Sequence, residues 1–176
     1  MIRASTTKGR QRMATRQIQV HRISVTSSRS FHDVVAGLEA TVGRPDMKAF
    51  WASVAAARTE AELEAVVHKA IGSSGLMEFV RLDMGEVLRK ERGAEAPETL
   101  RLLVGNLLIM KQMVNVVPDA GSYAPVTILI DERPEGVHLS YDRMASFLAP
   151  YGSPEALAIA QDLDSKVEAL LAAAAL

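Results

Sequence analysis

The stretch Val126-Thr127-Ile128-Leu129-Ile130-Asp131, Glu132-Arg133-Pro134-Glu135-Gly136, Val137-His138-Leu139-Ser140-Tyr141 reads as a β-hairpin. Two runs rich in β-branched residues flank a five-residue turn carrying Pro and Gly. Period-two alternation puts His138, Ser140 and Asp142 on one face of the second strand and Val137, Leu139 and Tyr141 on the other. A hairpin is antiparallel, so the sheet it belongs to is at least partly antiparallel. Just upstream, 99–104 is an apolar run holding one Arg, read as an interior strand. Gly105-Asn106 then opens a helix with Ile109, Met110, Met113, Val114 and Val117 on one side, stopped by Pro118. Residues 119–125 read as loop.

Working toward the start, 76–82 reads as another strand and 84–91 as a short helix ending at Gly93. Residues 17–26 alternate through Ile18, Val20, Ile23 and Val25, the pattern of a first strand. Ser30 caps a helix over 31–42. Pro45 starts a second helix, with Met47, Phe50, Trp51 and Val54 in an apolar stripe. Thr59 and Glu62 form a capping-box pair for a third helix, stopped by Gly72 and Gly75. Toward the end, Asp142 caps a short helix to Ala149, and Ser153-Pro154 opens a long last helix to about residue 174. The expected architecture is α+β: a mostly antiparallel sheet of four to five strands with helices packed on it.

The 176 residues make one domain on the length prior, 17–176 after a basic leader. They include no cysteine, which excludes a disulfide scaffold and thiolate chemistry. No apolar run reaches the ~20 residues of a membrane helix. Residues 1–32 hold seven basic side chains and no acid, while the remainder carries 13 basic and 21 acidic ones. The acidic body repels nucleic acid. The Arg-rich segment 1–16 reads either as a solvated tail or as an extension ahead of a start at Met13. Without a hydrophobic signal region, the expected location is cytoplasmic.

Several of these signals recur together: Val104-Gly105-Asn106, the helix from Met110 to Pro118, Ala124-Pro125-Val126, and the strand Gly136-Val137-His138-Leu139-Ser140-Tyr141. With the Ser30-Phe31 helix start, they resemble the domain of unknown function 302 family. The resemblance covers 24–43 and 76–152 and leaves 44–75 as a two-helix insertion. It implies a small bacterial or archaeal α+β domain, in some cases dimeric, with no agreed activity. Leu107 stands where the family usually has Pro, so only the Asn carries over.

Candidate ligand-binding residues are Gly105, Asn106, Tyr123, His138 and Tyr141. Gly105-Asn106 puts a side-chain-free turn before helix amides, which favours an anion; a plain Asn N-cap is the simpler reading. Tyr123 and Tyr141 offer hydroxyls, and His138 offers proton transfer near neutrality. His138, Ser140 and Asp142 form no triad, because same-face strand neighbours stand ~7 Å apart and point in parallel. The four histidines have no metal-ligand spacing and no cofactor motif is present, so the expected cofactors are none. The combined expectation is a homodimeric module for a small polar or anionic ligand held between Asn106, Tyr123 and His138. Two alternatives remain: an enzyme with His138 as acid/base, oriented by Tyr141 or Asp142, and an interaction protein whose interface is 44–75.

Overall fold

The computed structural model describes residues 14–176, so most of the basic leader lies outside the described residues. The strands are β1 (Arg22–Ser27), β2 (Met77–Asp83), β3 (Thr99–Gly105), β4 (Val126–Arg133) and β5 (Gly136–Asp142). The helices are α1 (Phe31–Glu39), α2 (Met47–Ala56), α3 (Glu60–Ala70), α4 (Met84–Arg92), α5 (Leu107–Val116), α6 (Met144–Leu148) and α7 (Pro154–Ala175). All five strands form one antiparallel sheet in the order β1-β5-β4-β3-β2. The α+β expectation therefore holds, with five strands.

Alternation in the hairpin does what the sequence demanded. Val126, Ile128 and Ile130 of β4, with Val137, Leu139 and Tyr141 of β5, are buried beneath the helices. Leu100, Leu102 and Val104 of β3 continue the same layer. Buried side chains of α1 and α7 close it, including Val34, Leu38, Leu163, Val167 and Leu171, each worth roughly 1.5–3 kcal/mol of burial. The two helices cross closely: a Cβ on Gly37 would lie 3.3 Å from Ala174 Cα.

Several boundaries differ from the sequence reading: α1 ends at Glu39 rather than 42, Pro45 lies ahead of the α2 N-cap Asp46 rather than starting the helix, and Asp142 does not cap α6, whose N-cap position is Arg143. The hairpin turn is two residues, Pro134 and Glu135, not five, because Arg133 pairs with Gly136, whose φ of 134° only glycine adopts freely. β1 starts at Arg22 rather than 17, since its partner β5 ends at Asp142, directly opposite. The 119–125 loop contains a 3-10 turn over Pro118–Ser122.

A second, smaller core lies under α2 and α3, built from Phe50, Val67, Ala70 and Met77. It is pinned where two backbone segments cross at Gly43 and Gly72. Both amides donate to the Leu76 carbonyl at 2.9 Å. A side chain on either glycine would strike backbone: the Ala70 carbonyl oxygen from Gly43, the Thr41 carbonyl oxygen from Gly72.

The other face of the sheet carries no helix among the described residues that contributes to the main core. Its outward rows are mixed. One holds Leu82, Arg101, Leu129, Ser140 and Ser24; the next holds Val80, Leu103, Thr127, Asp142 and Arg22. β3 is thus not buried on both sides, as its apolar run suggested: Arg101 is exposed and Leu103 half-buried.

Candidate functional site

β3 ends at Gly105 and α5 begins immediately after it, so the chain reverses over the edge of the sheet at this point. Asn106 is the N-cap. Its Oδ1 accepts from Leu108 N at 2.8 Å, and its Nδ2 donates to Gly75 O at 2.9 Å. One amide at the helix head and both polar ends of the Asn106 side chain are therefore occupied by protein. Lys111 points away and pairs with Glu60 of α3.

A hollow of about 240 Å³ opens beside this turn. Its walls are Trp51 of α2, Phe79 of β2, Met110 and Met113 of α5, and the Pro125 ring before β4, with Leu163 of α7 completing it. The lining is overwhelmingly apolar, unlike the polar pocket expected for an anion, so most of the surface an anion would meet here offers no hydrogen bond. Gly105 also plays a smaller part than expected. A Cβ there would sit 3.4 Å from Pro125 Cβ and 3.5 Å from Phe79 Cε2, close to ordinary contact. Trp51 is 48% exposed and its ring lies 6.4 Å from that of Phe79, so it stands at the rim.

The remaining predicted residues do not converge on this hollow. Tyr123 faces the other side of the Ala124-Pro125 segment, where its ring stacks on Phe147 at 4.8 Å and its hydroxyl meets Tyr151 Oη at 3.1 Å. His138 pairs across β4 with Asp131, five residues or about 16 Å along that strand from Val126. It is buried on the helix-free face against Glu135, at 3.0 Å, and Thr26. Tyr141 lies on the opposite face, inside the core. Its hydroxyl donates to Asp164 Oδ1 at 2.5 Å, and burial above all, then this carboxylate, pushes its pKa well up. Asp142 is held by Arg22 in two bonds of 2.7 and 2.8 Å, which hold its carboxyl below the usual range. Neither Tyr141 nor Asp142 orients His138, so the acid/base arrangement is not assembled. The alternation seen in the sequence is itself the reason: Tyr141 and His138 sit three positions apart and face opposite ways.

Asp164 escaped notice in the sequence. It is 5% exposed on the inner side of α7, and it accepts from Met144 N at 2.7 Å and Ala145 N at 3.1 Å besides Tyr141. It caps α6 from another helix, a role no local motif announces. Among the described residues, no three His, Cys, Asp or Glu side chains gather as a metal site needs, and no helix is long and apolar enough to cross a membrane.

A family model described as a domain of unknown function, DUF302, matches residues 52–174. The chain belongs to the DUF302 family. The matched span begins inside α2 and runs through α7, rather than covering 24–43 and 76–152 as the short motifs implied. Among solved structures, the fold is similar to the crystal structure of an uncharacterized conserved DUF302 protein from Bacillus stearothermophilus. That similarity has a TM-score of 0.61 and 13% identity, covering 87% of this chain and 97% of that one. At that identity the likeness concerns the DUF302 fold alone. No functionally curated protein matches the sequence.

Proposed function

We propose that this DUF302 chain is a small-molecule-binding module whose ligand is an apolar or weakly amphipathic compound lodged at the head of α5. The supporting observation is the apolar hollow of about 240 Å³ there, larger than the ~150 Å³ dry cavity that admits benzene. Shape and burial drive binding, and Trp51 at the rim contacts the occupant. Because Trp51 is the only tryptophan, its emission reports the site without a label. Titration with 1-octanol is expected to shift that emission saturably, with octanoate weaker because its carboxylate finds no donor. Leu107→Phe, which narrows the hollow, is expected to reduce the octanol response. Octanoate binding more tightly than octanol would restore the anion reading and reject this one.

A specific observation also favours self-association. Val80, Leu82, Met84 and Val87 are 42%, 40%, 43% and 66% exposed along the outer edge strand β2 and the helix that follows it. Apolar side chains grouped on a sheet edge are covered most economically by a second copy. The contact proposed here is at β2–α4 rather than at 44–75. Sedimentation is expected to show a dimer that Leu82→Lys dissociates; a wild-type monomer at all concentrations removes the proposal.

A further inference from the structure

Between the outward face of the sheet and α6 lies a second hollow, of about 320 Å³, on the far side of Ala124-Pro125 from the first. We propose that it binds a small organic anion with a flat apolar body, such as an aromatic carboxylate, with Arg101 as its anchor. The inference is independent of the pocket at the head of α5.

Of the eleven described arginines, Arg16, Arg29, Arg58, Arg92 and Arg101 pair with no described carboxylate, and Arg101 is the one that lines this hollow. Arg22, Arg44, Arg81, Arg89, Arg133 and Arg143 each hold a carboxylate within 3.0 Å. Arg101 has no such partner among the described residues; its side-chain bond is a long one of 3.4 Å to Thr127 Oγ1. Its cross-strand neighbours are Leu82 on one side and Leu129 on the other. An exposed guanidinium with no carboxylate partner is free to make a bidentate, charge-assisted bond to a ligand carboxylate.

The surroundings fit the rest of such a ligand. Thr127 accepts from Arg101, so its hydroxyl proton is free to donate outward, and Ser122 supplies a second hydroxyl. Leu103 lies beneath, and the stacked pair Tyr123 and Phe147 forms an aromatic wall. That wall is braced: Tyr123 Oη meets Tyr151 Oη, and the Arg16 guanidinium covers the Tyr151 ring at 4.0 Å. Asp142 is the one carboxylate in the lining, and Arg22 neutralises it through paired bonds. The remaining uncompensated charge is therefore positive.

The test uses the full chain labelled with nitrogen-15 and benzoate as the probe, with benzyl alcohol and inorganic phosphate as comparisons. Benzoate is expected to shift the amides of Leu103, Tyr123 and Thr127 saturably. Arg101→Gln is expected to weaken that response at least about tenfold, the scale of one lost charged hydrogen-bonded pair. Because Arg101 is exposed, the variant keeps the wild-type melting temperature, which is measured alongside. Arg92→Gln, on the exposed side of α4, serves as a control and leaves benzoate binding unchanged. Benzyl alcohol binding as tightly as benzoate, an unaffected Arg101→Gln variant, or no saturable shift would each overturn the assignment. Phosphate binding as tightly as benzoate would refute the role of the aromatic wall.

Discussion

Replacing Asp164 with Ala removes one carboxylate from beneath three donors. Two of them, the Tyr141 hydroxyl and Met144 N, are buried, at 2.5 and 2.7 Å; the third, Ala145 N, is half-buried. A buried donor left without an acceptor costs about 1–3 kcal/mol, and the third donor can recruit water from the polar hollow that Asp164 also lines. Met144 N keeps the Tyr141 hydroxyl oxygen, at 3.2 Å, as a second acceptor, so the expected loss is about 3 kcal/mol, or a fall in Tm of roughly 6–12 °C for a domain of this size. Tyr141→Phe removes one donor but leaves the carboxylate with both amides, and costs about 1–2 kcal/mol. The double variant also takes from Met144 N its second acceptor, yet it is expected to lose less than the sum of the two single changes, since the hydroxyl's own acceptor is already gone. Urea unfolding of the four proteins at pH 7, followed by circular dichroism, measures the cycle. Should Asp164→Ala cost under about 1 kcal/mol, or the two changes simply add, the carboxylate is not what holds α6 to α7.

Three further outcomes follow from the same geometry. Gly43→Ala and Gly72→Ala each drive a methyl into a carbonyl oxygen, so each is expected to lose at least about 3 kcal/mol in urea melts, far beyond an ordinary glycine change. Tyr141 has its pKa raised on folding, so its contribution is complete below about pH 10 and is lost as pH rises through the folded value; the gap between wild type and Tyr141→Phe is expected to narrow by about 1 kcal/mol per pH unit above 10. Asp142 has its pKa lowered by Arg22, so that pair stabilises above about pH 4 and loses its effect as pH falls; being largely exposed, it is worth under about 1 kcal/mol, read as the difference between wild type and Arg22→Gln at pH 7 and pH 3.

Much of the fold was legible because its signals are local. The hairpin alternation, the Ser30, Thr59 and Ser153 caps and the Pro154 start all lie within four residues of what they control, and each appears in the structure. Long-range consequences were not legible. The sequence gives Asp164 no neighbour to explain its burial, since its three donors lie about twenty residues earlier. The candidate site failed in the same way. Asn106, Tyr123 and His138 share a β-strand neighbourhood, but the direction of β4 carries His138 to the far end of the sheet and the Pro125 segment turns Tyr123 to the other face. One signal was present and undervalued: a lone Arg in the apolar run 99–104 marks a strand open on one side.

The two cores are unequal, and that inequality has a dynamic consequence. The layer between sheet and α1/α7 is extensive, whereas α2 and α3 rest on a cluster of four buried side chains and the glycine crossing. Amides of α2 and α3 are expected to exchange with deuterium by a local opening well below the global unfolding free energy, while those of β4 and β5 exchange only with the whole molecule. Trp51 and Phe79 belong to the looser unit, Met113 and Val126 to the tighter one. A compound entering between them thus bridges two cooperative units, and its occupancy should register first as slowed exchange in α2 and α3.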